Sequence, residues 1–102
     1  MRVNHPVRIL NKMTSEIQGE FDVCGPCCTP LDVIGRDVKL PMPQEGDIIG
    51  VFNAGAYGYT LSMVNFMSFG LPGEIMVDRG NTYIIRSSRM PEELFKDQIV
   101  LP

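Results

Sequence analysis

At 102 residues, with a formal net charge of −3 and a pI near 5.0, the chain has room for one modest hydrophobic core and too little length for an independent second one, so a single domain over residues 1–102 is expected. Its nine Lys and Arg residues are scattered without a basic run, which argues against nucleic acid as a partner. No apolar stretch approaches the roughly 18 residues that a membrane span requires, and the polar start does not resemble a signal peptide, so the expectation is no membrane and a cytoplasmic location.

Helical periodicity is scarce, whereas short runs rich in Val, Ile, Tyr and Phe recur between Gly and Pro signals. The first strands are predicted over Val7 to Asn11 and Gly19 to Cys24. Pro41-Met42-Pro43 and Glu45-Gly46-Asp47 form a turn that launches a strand over Asp47 to Phe52. Further strands are predicted over Gly58 to Asn65, Glu74 to Asp78 and Thr82 to Ser87. Asp78-Arg79-Gly80-Asn81 has hairpin chemistry, with Gly80 and Asn81 tolerant of positive φ. One helix is predicted at the end: Ser88 can cap it, Pro91 suits the first turn, Glu92 and Glu93 favour its N-terminus, and it runs to Gln98. The fold class is mainly β, a β-barrel or sandwich of about six strands with one short C-terminal helix.

Three cysteines fall within Cys24-Gly25-Pro26-Cys27-Cys28. From its first cysteine the run is C-G-P-C, the redox motif of thioredoxin, but such a thiol owes its reactivity to a helix that begins at the motif. Pro30, Gly35 and Lys39-Leu40-Pro41-Met42-Pro43 leave no room for one. Zinc wants four ligands, and His5 is the sole histidine. Cys24 and Cys27 are therefore read as small buried hydrophobes at a strand end, and His5 as a structural residue.

Four pieces in order carry a resemblance: Gly25-Pro26-Cys27-Cys28-Thr29-Pro30-Leu31-Asp32, Glu45-Gly46-Asp47, Gly55-Ala56-Tyr57-Gly58 and Pro72-Gly73-Glu74-Ile75-Met76-Val77. In that order and spacing the chain resembles the C-terminal β domain of the fold-type III pyridoxal-phosphate decarboxylases, the diaminopimelate and ornithine decarboxylase family. The likeness runs from Asn4-His5-Pro6 to the terminal helix. Cys28-Thr29-Pro30-Leu31-Asp32 is particularly similar to a bacterial subgroup that includes exosortase-associated enzymes and decarboxylases of aminoacyl groups on carrier proteins.

The resemblance implies pyridoxal phosphate as cofactor in a full-length enzyme, with none expected on this chain alone. It implies that Cys28 is the proton donor to the carbon that loses CO2, reaching across a homodimer interface. A thiol of ordinary pKa, near 8.5, is mostly protonated at neutral pH and suits that task. It implies that Tyr57 contacts the cofactor phosphate or the substrate, a phenol on a glycine-flanked turn being able to donate to an anion. Asp32 also matches the motif, and its spacing equally suits local turn capping.

The resemblance places Thr29 where diaminopimelate and ornithine decarboxylases carry an acidic residue directly after the cysteine, opposite the substrate's distal ammonium. A hydroxyl does not compensate a buried cation. Thr29 therefore points to a substrate without a free distal ammonium, such as a glutamyl or similar aminoacyl group on a carrier. Met67 stands where several relatives have asparagine. The lysine that anchors the cofactor belongs to an N-terminal (β/α)8 barrel, which these residues do not contain, and Arg2-Val3-Asn4-His5-Pro6 resembles the strand leading out of it. The chain is thus expected to be a C-terminal domain, inactive alone, whose partner is that barrel and whose Met63, Met67 and Phe69 belong to an exposed interface. A free-standing β-barrel binding module is the alternative reading.

Overall fold

A computed structural model describes residues 5–102, so most of the expected lead-in segment Arg2 to Pro6 lies outside the described residues. The chain forms two compact units, Met1–Gly55 and Ala56–Pro102.

The mainly β class expected from the sequence is what the chain adopts. In the first unit β1 (Val7–Ile9) pairs antiparallel with β4 (Ile49–Val51), Arg8 facing Gly50. Strand β2 (Gly19–Cys24) pairs antiparallel with β3 (Val33–Leu40). Val7, Ile9 and Leu40 are the buried apolar side chains among the described residues, so the core sits where β1 and β3 turn their apolar faces inward.

The strand expected over Val7 to Asn11 stops at Ile9, because Leu10–Lys12 coils into a 3-10 turn that serves a polar latch. The Lys12 ammonium donates to Asp47 Oδ2 at 2.7 Å, Met42 O at 3.0 Å and Gln44 Oε1 at 3.1 Å. Asn11 Nδ2 donates to Asp47 Oδ1 at 2.8 Å, and its own Oδ1 accepts the Ile48 N–H at 2.9 Å. Asp47 thus closes the Glu45-Gly46-Asp47 turn rather than opening a strand, and β4 starts at Ile49.

The sequence predicts no strand between Cys24 and Asp47, yet β3 runs through Gly35. Two register shifts on the β2–β3 ladder explain the miss, for they break the alternation that marks a strand. Asp22 staples the first bulge, accepting from Arg36 Nη1 at 2.7 Å and from the Asp37 N–H at 3.1 Å, while Asp37 takes a φ of 53°.

The second unit holds one antiparallel hairpin, β5 (Glu74–Asp78) with β6 (Asn81–Arg86). Positive φ falls on Arg79 (47°) and Gly80 (80°), whereas Asn81, expected to share it, is already paired with Asp78 in the ladder. Both central residues left-handed is the sign pattern of a type I′ turn.

The strand predicted over Gly58 to Asn65 is absent. A single helical turn, α1 (Tyr57–Thr60), stands there, closed by the Leu61 N–H on Tyr57 O at 3.1 Å. Hydroxyls favour it: Thr60 Oγ1 donates to Ala56 O at 2.9 Å, and Ser62 Oγ donates to Gly58 O. The predicted terminal helix is a 3-10 segment, Pro91–Phe95, and Met90 rather than Ser88 occupies its cap position. Without a capping side chain the acidic pair and Pro91 hold only this short stretch.

Candidate functional site

The cysteine cluster occupies the connection between β2 and β3, and Asp32 organises it. The Asp32 carboxylate accepts the Cys27 N–H at 2.9 Å, while its main-chain carbonyl accepts the Gly25 N–H at 3.0 Å. Its own N–H donates to Thr29 O at 3.2 Å. Gly25 is required by this packing, because a Cβ there would lie 2.1 Å from Asp32 Oδ2. Asp32 is thus the local cap that its spacing allowed.

No helix starts at the motif; the turn runs into β3. Cys24 is exposed on the solvent face of β2 with Glu20 and Asp22, and Cys27 is half-buried in the turn, so neither is the buried strand residue expected. The strand ends three residues before Cys27, and the alternation of β2 turns Cys24 outward. Desolvation pushes the Cys27 thiol up, and the hydrogen bond and charge of Asp32 and the charge of Cys28 push it further. That is the opposite of a redox-active thiol.

Cys28 is exposed at the next position. Thr29 is half-buried; its N–H donates to Cys27 O at 2.8 Å and its Oγ1 accepts the Leu31 N–H at 3.3 Å. That bond uses an oxygen lone pair of the Thr29 hydroxyl, whose O–H is itself a donor group. Elsewhere in the first unit His5 Nδ1 lies 3.2 Å from Phe52 O, tying the start of the described chain to the end of β4 in the structural role expected of it.

In the second unit Tyr57 opens α1 and is 66% exposed. Two residues on, Tyr59 is half-buried beneath Arg86, whose Cζ lies 4.1 Å from the ring centroid. Arg86 Nε also donates to Glu74 Oε2, and this bond pushes the guanidinium further above its ordinary value. Sequence reasoning singled out neither Arg86 nor Tyr59. A signal existed: Glu74 and Arg86 are opposite charges on facing positions of a hairpin whose turn was legible.

Residues 1–55, just over half of the chain, match the family described as pyridoxal-dependent decarboxylase, C-terminal sheet domain. The chain belongs to this family. The sheet domain is 32% identical over 102 residues to an L-glutamyl-[BtrI acyl-carrier protein] decarboxylase from Niallia circulans, covering 97% of this chain and 24% of that protein. It is 38% identical over 96 residues to a diaminopimelate decarboxylase from Archaeoglobus fulgidus, covering 92% of this chain and 22% of the relative. Among solved structures it resembles the Helicobacter pylori diaminopimelate decarboxylase complexed with L-lysine, with a TM-score of 0.75 and 30% identity over 92% of this chain and 23% of that one. The sheet domain therefore spans about a quarter of the length of these relatives. Among its described residues no helix is long and apolar enough to cross a membrane.

Proposed function

We propose that the sheet domain is the C-terminal part of a cytoplasmic pyridoxal-phosphate-dependent amino-acid decarboxylase, and that it lends Cys28 and Tyr57 to an active site completed by an N-terminal barrel and a second copy of the protein. The observation that carries this reading is the Asp32-capped turn, which leaves Cys28 exposed within a chain that belongs to the decarboxylase family.

Pyridoxal phosphate, when bound, supplies the sink for the electron pair left on Cα as CO2 departs. The residues present suit a partial share in holding it. The Tyr57 phenol is exposed on a turn flanked by Gly55 and Gly58 and can donate to a phosphate oxygen. Lys12 is engaged by Asp47, Met42 and Gln44, and the anchoring lysine is assigned to the barrel by the family resemblance. The Cys28 Sγ–H is the proton source for Cα, and the rigid turn fixes where that proton is offered. Alone, the sheet domain holds cofactor weakly and releases no CO2.

Thr29 supports a substrate whose far end is an acceptor rather than an ammonium, because its hydroxyl retains a proton to donate and carries no charge to offset a cation. A glutamyl group carried on a carrier protein fits that requirement, and the Niallia circulans relative acts on one.

The test uses the full-length protein. Cys28→Ala should lower kcat by about 10²- to 10⁴-fold while cofactor absorbance is retained; undiminished turnover overturns the assignment. Efficient CO2 release from diaminopimelate, at the expense of glutamyl-carrier conjugates, overturns the substrate reading. A sedimentation result showing monomers under turnover conditions would sink the shared site.

A further inference from the structure

Tyr57 sits on a structure too small to hold itself. The helix α1 is one turn long, and an isolated turn of that size is unstable in water. Tyr57 contributes little packing, being 66% exposed, and Gly58 beside it has no side chain to pack. The Thr60 and Ser62 hydroxyl bonds lie within the turn itself, so its attachment to the rest of the unit must come from another side chain. Among the described residues of α1 the half-buried side chain is Tyr59, and the group lying over its ring is the Arg86 guanidinium, 4.1 Å from the centroid.

Arg86 is itself fixed. It stands on β6, facing Glu74 on β5, and its Nε donates to the Glu74 carboxylate. A guanidinium held in one orientation by a carboxylate presents its flat face to an aromatic ring without further ordering cost, which lysine's point charge does not reproduce. The contact therefore runs from Glu74 through Arg86 to the Tyr59 ring, and through two residues of helical backbone to the Tyr57 phenol. It also joins two sequence pieces that otherwise have no evident connection, Gly55-Ala56-Tyr57-Gly58 and Pro72-Gly73-Glu74.

We infer that Arg86 is a positioning residue for Tyr57: held by Glu74, it clamps the Tyr59 ring and so fixes where the Tyr57 phenol is offered to the cofactor or substrate. This rests on Tyr57 being such a contact, as proposed above. Arg86 touches neither cofactor nor substrate in this role.

The experiment is a double-mutant cycle on the full-length holoenzyme, read as pyridoxal phosphate affinity and as the split between kcat and KM. Arg86→Met and Tyr59→Leu should each weaken cofactor affinity or raise KM, by up to about 10²-fold, the scale at which misplacing one group is felt. Arg86→Lys should recover only part of the loss. In a Tyr57→Phe background, Arg86→Met should add nothing further. An equal loss from Arg86→Met in both backgrounds overturns the inference, because the arginine then acts by another route. So does an intact Arg86→Met enzyme alongside an impaired Tyr57→Phe one.

If Tyr57→Phe is itself without effect, the contact reading falls, and fluorine NMR of a fluorotyrosine at position 57 decides the positioning. A shifted or sharpened resonance in Arg86→Met supports the clamp; an unchanged one overturns it. Should Arg86→Met fail to fold, Tyr59→Leu removes the ring side of the same contact and is read in the same way.

Discussion

Strands β1 and β4 are short, yet their ladder buries Val7 and Ile9, whereas the longer β5–β6 hairpin leaves Val77 69% and Ile84 76% exposed. Ladder length is therefore not what makes a core here. A two-stranded ribbon gains stability only when something covers its apolar face. The first unit supplies cover and polar ties from within: the Lys12–Asp47 latch, the Asp22 staple and the Asp32 cap. The second is held by its turn, its cross-strand pairs and the Arg86 clamp. The family match ends at residue 55, where the self-covered unit also ends.

The comparison predicts that single changes in the first unit cost most, and Gly25→Ala is the most severe of them. The new Cβ would meet Asp32 Oδ2 at 2.1 Å, so the carboxylate must leave and surrender the Cys27 N–H. The expected cost is about 2–3 kcal/mol, from overpacking plus an unsatisfied donor. It is read in urea unfolding followed by a probe in residues 5–55. Combining Gly25→Ala with Asp32→Ala should cost less than the sum, since the clash disappears with the carboxylate. Strict additivity would show that the two residues do not share one turn.

Next in size is the latch. The Lys12 hydrogen bond, helped by those of Asn11 and Gln44, holds the Asp47 carboxyl below its usual range against the desolvation that opposes it. A depressed folded value means that this stabilisation is present in full above the ordinary carboxylate pKa of about 4 and is lost as pH falls through the lower folded value. Lys12→Met should lower Tm by several degrees at neutral pH and flatten the acid side of the stability profile. An unchanged acid limb would show that the pair contributes nothing beyond geometry.

These contrasts also mark what the sequence could reveal. The ranges Gly19 to Cys24 and Glu74 to Asp78 are legible because apolar and β-branched residues are bounded there by Gly or Pro. Strand β3 is hidden, because its bulges insert residues that only Asp22, fourteen positions from Arg36, makes tolerable. The 58–65 segment misleads in the other direction: its Tyr, Leu, Met and Val look strand-like, while the hydroxyls that bend it back act over four residues and leave no periodic trace. At the site, the cysteine turn and Tyr57 were visible as motif residues. Of the side chains that hold the Tyr57 turn, Glu74 and Arg86 face each other across a hairpin with a legible turn, whereas Tyr59 meets Arg86 only after the chain has folded.

The smallest expected effect lies in the second unit and tests whether its hairpin is held locally. Arg79 occupies the first central position of the turn with φ at 47°, where an L-residue with a long side chain pays for the left-handed backbone that asparagine tolerates. Arg79→Asn should therefore stabilise the hairpin by about 0.5–1 kcal/mol. Amide exchange at Met76 and Tyr83, partners in the β5–β6 ladder, reads that gain directly, and amides of β1 and β4 serve as the internal control. Slower exchange confined to the hairpin means that turn chemistry still limits a ribbon whose apolar residues have no cover of their own. Equal slowing in β1 and β4 would instead mean that the two units unfold together, and the contrast between a self-covered and a turn-dependent unit would fail.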